Sequence, residues 1–310
     1  MVQPYTAKRK ENTLHNSAAS QVWNNTLIMD GVAQYMAAGS LAQLCLACKQ
    51  GWIYAIEQLW TCPKLTHMKY FNRFSASIAH QPLFKVGNHT HYGGLVRNLD
   101  LSMLGGRWEK IGYVQLAPVL AFCTNITSLD LDLCQHIGDS HFLKLFVDNP
   151  HLSEKLTHLD LDEVMLMDQT IGAIIRMLPK LKYLHLSETN AGPLTCKAIG
   201  SCLTDLQYLE LSRCIDIDDS CIETIAEKCK SLSYLKIQGC DNIITDDVEE
   251  LMLERDNLAT ISEGSDDNYE SDDNIDDIGD GFGGSIVGVL SRNTNLLGRY
   301  RFDDNDIDID

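Results

Sequence analysis

One leucine pattern recurs along this chain and restricts its fold more than any other feature. The segment ITSLDLDLC at 126–134 has apolar residues three apart and then two apart, a spacing that matches neither a helix nor a simple amphipathic strand. The pattern L-x-x-L-x-L-x-x-C/N starts six times, and successive starts lie 30, 30, 25, 25 and 26 residues apart. Such a period predicts stacked strand–helix repeats, each burying the face that its neighbour leaves open. The starts are Val96, Ile126, Leu156, Leu181, Leu206 and Leu232.

Three weaker copies of the pattern flank these six. One precedes them in the segment LTHMKYFNR, a second follows them, and a third comes after an insert of about thirteen residues. They extend the expected array to about eight or nine units. The weaker copies begin at Leu65, Leu258 and Leu297.

The repeats predict an α/β fold with one strand and one helix in each unit. In DDSCIETIAEKC at 218–229, two aspartates favour a helix N-terminus, and Ile222 and Ile225 have the spacing of an inward face. We therefore expect a leucine-rich-repeat solenoid with a curved parallel sheet on its concave face and helices on its convex face. A small module of three helices is expected to precede it.

Shifts in composition divide the chain into five segments. Residues 22–61 have helical periodicity, and Gly39 and Ser40 mark a turn within them. The acidic run after Ile261 has too few apolar residues to fold. We expect a disordered tail at 1–21, a small helical module at 22–61, leucine-rich repeats at 62–261, an acidic disordered insert at 262–284, and a terminal repeat or cap with an acidic tail at 285–310.

Charge and hydropathy exclude two classes of partner. The net charge is −18; residues 262–310 hold fourteen acidic side chains against three arginines, or −11, which leaves −7 for the rest. Such a chain repels phosphate backbones, so we expect no nucleic-acid partner. We also expect no membrane partner, because no run of about eighteen apolar residues is present. The N-terminus has no apolar stretch typical of a secretory signal, which predicts a cytoplasmic and/or nuclear protein.

The cysteines and histidines do not predict a metal centre or a cofactor. Several of the eleven cysteines recur with the repeat, as small packing residues do, and free thiols suit a reducing compartment. Cys45 and Cys48 form a lone C-x-x-C without a second pair or a histidine at zinc spacing. His89 and His91 have no acidic or cysteine partner near them in sequence. No pattern in the chain predicts a catalytic residue.

The polar positions next to the inward leucines predict a line of charged side chains. Neighbouring residues of a strand alternate between its faces, so Asp130 and Asp132 are expected on the concave sheet while Leu129 and Leu131 face the core. Equivalent positions on adjacent strands would stack, and the first half of the stack is acidic. Two interpretations stay open, a site for a basic partner or an ordinary solvated surface. The candidate substrate-binding residues are Asp100, Asp130, Asp132, Asp160, Asp162, His185, Glu210 and Lys236.

The N-terminal module resembles an F-box, and the whole chain resembles F-box proteins with cysteine-containing leucine-rich repeats. LAQLCLACKQGW at 41–52 is similar to the D-L-x-x-x-x-x-V-C-K-x-W helix of that family, and AIEQLW at 55–60 matches its closing Leu-Trp. The Leu-Pro that usually opens an F-box is absent. The resemblance implies docking on a Skp-type adaptor; the alternative is that the module only caps the repeats. The implied adaptor-binding residues are Leu41, Leu44, Cys48, Lys49, Trp52, Leu59 and Trp60.

The resemblance implies a non-catalytic role in protein ubiquitination. The chain would be the substrate-recognition subunit of a cullin-RING ligase of the SCF type. The module would bind the adaptor and, through it, the cullin. The repeats would bind a protein substrate, which is basic if the acidic stack is the binding site. The alternative is an acidic leucine-rich-repeat scaffold or chaperone that binds basic proteins without ligase association. The first hypothesis requires that the module binds the adaptor. The second predicts that binding of basic proteins is lost when residues 262–280 are deleted.

Overall fold

The computed structural model describes residues 25–83, 85–243 and 259–261, and its first part is helical. The predicted tail at 1–21, the acidic insert at 262–284 and the terminal segment at 285–310 lie outside the described residues. The first elements are α1 (Thr26–Gln34), α2 (Ala38–Ala47), α3 (Lys49–Thr61), α4 (Met68–Ser77) and a single 3-10 turn (Tyr92–Leu95).

The rest of the described chain alternates between short strands and helices. Each strand is three residues long. Between successive strands from β1 to β6 the chain forms one or two helices. The elements are β1 (Asn98–Asp100), α5 (Arg107–Lys110), α6 (Tyr113–Phe122), β2 (Ser128–Asp130), α7 (Asp139–Val147), α8 (His151–Lys155), β3 (His158–Asp160), α9 (Asp168–Met177), β4 (Tyr183–His185), α10 (Pro193–Cys202), β5 (Tyr208–Glu210), α11 (Asp219–Lys228), β6 (Tyr234–Lys236) and β7 (Ala259–Ile261).

The strands form one parallel sheet whose spatial order is the order of the chain. Within the described residues the sheet has seven strands, β1 to β7, and each pairs in parallel with the next. Parallel neighbours require a crossover, which helices provide between successive strands from β1 to β6. The prediction of an α/β fold with a parallel sheet is therefore confirmed. Among the described residues, no helix is both long enough and apolar enough to span a bilayer.

The leucine pattern accounts for both the strands and the core. The central residue of each of the first six strands is buried, whereas the residues on either side of it are partly exposed, except for the more exposed His158. The residue two positions further on, a leucine in five units and Ile237 in the sixth, is buried as well, so successive units stack their apolar residues in columns. One continuous core results, and it extends from Leu65 to Cys240.

The helices close the other side of this core. In α11, the Asp218 carboxylate accepts a hydrogen bond of 3.0 Å from the Cys221 amide at the helix start, while Ile222 and Ile225 are buried. Helices α9 and α10 approach so closely that a Cβ on Gly172 would lie 3.0 Å from the Leu194 carbonyl oxygen. A larger residue at this crossing would push the two helices slightly apart, so glycine favours the close approach.

Two sequence predictions about the repeats are wrong. The copy beginning at Leu65 does not form a strand, because Met68–Ser77 is α4 and its Phe71 and Phe74 are buried with helical spacing. This helix covers the β1 end of the core instead of extending the sheet. The 30-residue spacings also predict extra loop, most clearly HLSEK at 151–155. This segment is instead the short helix α8, whose Leu152 is buried.

The repeat cysteines lie inside the protein. Cys214 donates its thiol to the Leu186 carbonyl oxygen at 3.0 Å, and Cys240 does the same to Leu211 at 3.0 Å. Burial raises the pKa of the Cys134 thiol to about 12. These thiols therefore connect successive units through hydrogen bonds and remain protonated.

Candidate protein-binding surface

The third residue of each of the first six strands carries an ionisable side chain on the open face of the sheet. These residues are partly exposed, and they are directly paired in the strand register, as Asp100 with Asp130 and Asp130 with Asp160. Strand spacing places such neighbours about 4.8 Å apart. We call this line the charged ladder, and it consists of Asp100, Asp130, Asp160, His185, Glu210 and Lys236.

The β1–β3 half of the charged ladder holds like charges close together. Burial, together with the neighbouring carboxylates of Asp160 and Asp100, raises the pKa of Asp130 to about 7. Burial also raises the pKa of Asp160. The carboxylates accept local amide hydrogen bonds, including one of 3.1 Å from the Asp132 amide to Asp130. Negative charge in this half therefore destabilises the free protein.

The sequence predicted Asp132 and Asp162 on the concave sheet, but neither residue lies on a strand, because β2 and β3 end two residues earlier. Asp132 forms an ion pair with Arg107, whose Nε also donates to the Asp132 carbonyl oxygen at 2.7 Å. Asp162 accepts a hydrogen bond of 2.6 Å from the Ser187 amide. Burial and the Asp160 carboxylate raise the pKa of Asp162 to about 7. Asp162 therefore adds to the acidic half, whereas the charge of Asp132 is compensated.

The β4–β6 half of the ladder is internally neutralised around Glu210. The Glu210 carboxylate accepts hydrogen bonds from Lys236 Nζ at 2.6 Å and from the Tyr208 hydroxyl at 2.9 Å, and His185 Nδ1 lies 3.4 Å from it. Burial raises the pKa of Glu210, but these contacts outweigh burial and lower it to about 2. The pKa of His185 is raised, because its carboxylate neighbours outweigh its own desolvation. The two halves of the ladder therefore differ in charge.

A second line of side chains on the same face was missed by the sequence reasoning. Alternation places the first strand residue on the same side as the third. The Tyr208 and Tyr234 rings stack with centroids 4.4 Å apart, and the His158 and Tyr183 rings stack at 4.1 Å. The signal was available in HLD, YLH, YLE and YLK, where an aromatic residue precedes the buried leucine. We call this line the aromatic column, and it consists of His158, Tyr183, Tyr208 and Tyr234.

Possible metal ligands occur once in the part of the chain that the structure describes. Atoms of Asp160, Asp162 and His185 lie within 4.8 Å of one another. These residues could supply two carboxylates and one ring nitrogen. His185 Nδ1 already lies 3.4 Å from Glu210, so a cation that used this nitrogen would have to displace the ion pair.

The other candidate ligands in the sequence have local partners. The Cys48 thiol accepts a hydrogen bond of 3.3 Å from the Gly51 amide and thus caps α3. His91 Nδ1 lies 2.7 Å from the Thr90 hydroxyl. His89 Nδ1 lies 3.5 Å from Asn125 Nδ2, beside a cleft between this loop and the end of α6.

Two of the implied adaptor-binding residues are core residues. Leu41 is 6% exposed and packs with Ala33 and Ala55, while Trp52 is 6% exposed and packs in a second cluster. Little of either side chain is therefore accessible, because Leu41 packs among the three helices and Trp52 packs against Ile56 and the segment that follows α4. Trp60 is half-buried and stacks on Tyr92 with centroids 4.6 Å apart, which joins the module to the repeats.

The other implied adaptor residues lie nearer to the surface. Leu44 and Leu59 are partly buried at the edge of the Leu41 cluster, whereas Cys48 and Lys49 are exposed. The largest exposed apolar side chains of the module lie elsewhere on α1, on the residue after it, and on α2. They are Ile28, Val32, Tyr35 and Leu46, with exposed fractions of 44%, 49%, 91% and 82%.

The fold and this face define an α/β protein of stacked strand–helix units with a continuous polar surface. No family model matches the chain. The chain is 31% identical over 158 residues to the DNA repair protein rhp7 of Schizosaccharomyces pombe. The aligned region covers 48% of this chain and 27% of that protein. The chain thus matches about a quarter of its relative's length.

A partial structural match to a solved structure is also found. The structure of the yeast Rad7 and Elc1 complex contains a chain that is 12% identical to this one. The alignment has a TM-score of 0.33 and covers 68% of this chain and 57% of that chain.

Proposed function

We propose that this chain is a non-catalytic substrate-recognition subunit of a cullin-RING ubiquitin ligase of the SCF type. Its leucine-rich-repeat solenoid presents the charged ladder on a concave face to a protein substrate. The helices of residues 22–61 attach to a Skp-type adaptor and, through it, to a cullin. The F-box resemblance of residues 41–60 supports the ligase role. The partial similarity to a DNA repair protein supports action in the nucleus, alone or together with the cytoplasm.

The observation that carries the substrate-binding part is the register of the charged ladder. Six strands in succession place an ionisable residue at the same position, and three aspartates are consecutive. Partly buried carboxylates with a raised pKa are unfavourable in the free protein and gain most from a positive partner. The proposed substrate therefore carries a basic segment.

The proposed adaptor contact is formed by residues of the helical module that are exposed or partly exposed. Leu44, Cys48, Lys49 and Leu59 remain candidates from the F-box resemblance. The exposed apolar group Ile28, Val32, Tyr35 and Leu46 adds the kind of surface that a stable interface buries. Leu41, Trp52 and Trp60 hold the module in shape.

A pull-down with purified Skp-type adaptor tests the ligase role. We expect the full chain to bind, and Tyr35→Asp/Leu46→Asp to reduce binding at least about tenfold by placing charges in the interface. Leu83→Asp/Val114→Asp is the matched control, because these residues are 77% and 78% exposed outside the module. Circular dichroism would show that both variants are folded. An unmodified chain that does not bind contradicts the ligase role.

The second candidate is an acidic scaffold or chaperone for basic proteins, and it is favoured by the net charge of −18. In that case the module is only a cap, and residues 262–280 act together with the ladder. Deletion of 262–280 would then abolish binding to a basic protein such as a histone. The ligase proposal instead expects adaptor binding to persist after this deletion.

A further inference from the structure

We infer that the open face of the sheet recognises one extended segment with two unlike ends, a cationic end over β1–β3 and an aromatic end over β4–β6. This inference rests on the proposed function, since the segment would belong to the protein substrate. It adds a second recognition element, the aromatic column, and a fixed direction across the strands. Both follow from the placement of side chains on the sheet.

The β1–β3 end selects positive charge. Asp100, Asp130 and Asp162 form no ion pair with any lysine or arginine among the described residues. Within the part of the chain that the structure describes, the ion-pair partner of Asp160 is His185, whose Nδ1 is 4.0 Å from the Asp160 carboxylate. The first residues of β1 and β2, which lie on the same face as these carboxylates, are the small or polar Asn98 and Ser128. Guanidinium or ammonium groups can therefore reach the carboxylates directly.

The β4–β6 end selects a flat apolar group. Three half-buried tyrosines lie side by side on these strands, Tyr183, Tyr208 and Tyr234. Successive ring centroids are 6.2 Å and 4.4 Å apart, so the rings form a continuous aromatic surface across three strands. Aromatic groups stabilise one another beyond simple burial of area. Glu210 is already paired with Lys236 and His185 and therefore attracts cations poorly.

The direction of the segment follows from the unequal ends. Lys236 lies on β6 and repels a cation there, while the nearest uncompensated carboxylates lie on β1–β3. From β1 to β6 the face spans five strand spacings, or about 24 Å, which an extended chain covers in about seven or eight residues. A short linear segment can therefore touch both ends at once.

Fluorescence anisotropy with labelled peptides tests this inference on the full chain. The first probe has three arginines, a Gly-Ser-Gly spacer and two tryptophans. The second probe replaces the arginines by serines, and the third replaces the tryptophans by serines. We expect the first probe to bind at least about tenfold more tightly than either of the others, because each loses one contact region.

Variants assign each end of the peptide to its end of the face. Asp130→Asn/Asp160→Asn should weaken the first probe about tenfold and leave the weak second probe unchanged. Tyr183→Leu/Tyr234→Leu should weaken the first probe and leave the third unchanged. Asp205→Asn/Asp241→Asn, at exposed carboxylates outside the ladder, and Tyr70→Leu, at a 47% exposed tyrosine on α4, are the matched controls.

The outcomes separate this inference from the proposed function. Equal affinity for the first and third probes would overturn the two-ended mode and leave a basic substrate on the ladder intact. Absence of binding by the first probe at low salt would overturn the inference while the adaptor pull-down still decides the ligase role. Equal losses from the ladder variant and its control would also overturn it.

Discussion

At the scale of single residues, the most informative group is the carboxyl of Asp130. Its neighbours along the ladder are Asp100 and Asp160, and Asp132 lies just beyond the strand. Burial, and then the charges of Asp160 and Asp100, raise its pKa to about 7 from 3.8. The folded protein therefore binds a proton there that the unfolded chain releases between about pH 4 and pH 7.

We predict that Asp130→Asn makes the protein less sensitive to pH. A raised carboxyl pKa means that the free energy of unfolding falls as pH rises from about 4 to 7. The asparagine keeps an oxygen to accept the Asp132 amide but carries no charge. We expect a gain of roughly 1–2 kcal/mol at pH 8 and little change at pH 4, measured by urea unfolding.

The difference between the variant and the unmodified protein isolates Asp130 from other titrations. His185, with a raised pKa, contributes stability that is also lost as pH rises, whereas Glu210 contributes stability that is lost only as pH falls below its ordinary range. Both contributions largely cancel in the difference. Parallel curves for the two proteins would show that Asp130 ionises at its ordinary pKa.

At the scale of elements, strands of three residues have little stability of their own. Turn conformations and hydrogen bonds at helix starts stabilise each repeat unit. The turn after a strand contains a residue with positive φ in four successive units, at Leu133, Glu163, Glu188 and Arg213, and Gly239 occupies the equivalent place in the next. The start of α10 is held by Asp168 of the preceding unit. Its carboxylate accepts the amides of Gly192, Leu194 and Thr195 at 3.0, 2.9 and 2.8 Å.

We predict that Asp168→Ala lowers the free energy of unfolding by about 2 kcal/mol, because three amides at the α10 start lose their acceptor. Urea unfolding monitored by circular dichroism measures the change. Asp205→Ala, at an exposed aspartate in the turn after α10, should stay within about 0.5 kcal/mol. Similar losses in the two variants would argue against the interaction between units.

We predict that Glu163→Gly does not destabilise the protein and raises its stability by up to about 1 kcal/mol. Glu163 has φ 56°, a conformation that is unfavourable for residues with a Cβ and easy for glycine. Glu223→Gly, the same substitution at an exposed position within α11, should instead cost about 1 kcal/mol. Thermal melting of the two variants compares the signs, and equal losses would mean that the turn is not strained.

At the scale of the whole molecule, the helical module and the repeats meet through a small aromatic contact. The Trp60 ring lies 4.6 Å from the Tyr92 ring and 5.8 Å from the Phe74 ring, between centroids. The Arg97 amide also donates to the Thr61 carbonyl oxygen at 2.9 Å, which connects the end of α3 to the residue before β1. The proposed adaptor and substrate regions are therefore parts of one packed body.

We predict that Trp60→Ala lowers stability by about 3 kcal/mol and separates the unfolding of the module from that of the sheet. Hydrogen exchange should show lost protection in α1–α3 before the strands β3–β5. Trp108→Ala, at a tryptophan that is 45% exposed, is the matched control and should change stability by less than about 1 kcal/mol. Simultaneous exchange in both regions would contradict the separation.

The sequence by itself determined the repeating unit and the line of the charged ladder. Burial of Leu129 and Leu131 follows from a local pattern that each neighbouring unit repeats, so the α/β fold and the parallel sheet were predictable. The in-register positions of Asp100, Asp130 and Asp160 follow from the same fixed offset from the buried leucine. Stacking of like units preserves local spacing, which makes such features readable from one chain.

Only the tertiary structure decided features that depend on unlike parts of the chain. The α4 helix replaced an expected strand because its phenylalanines cover the β1 end of the core, a place that no repeat pattern describes. Leu41 and Trp52 became core through packing among α1–α3 and the following loop. The pairing of Arg107 with Asp132 and of Lys236 with Glu210 joins residues about one repeat apart. Charge compensation therefore depends on side-chain approach in three dimensions, which spacing along the sequence does not specify.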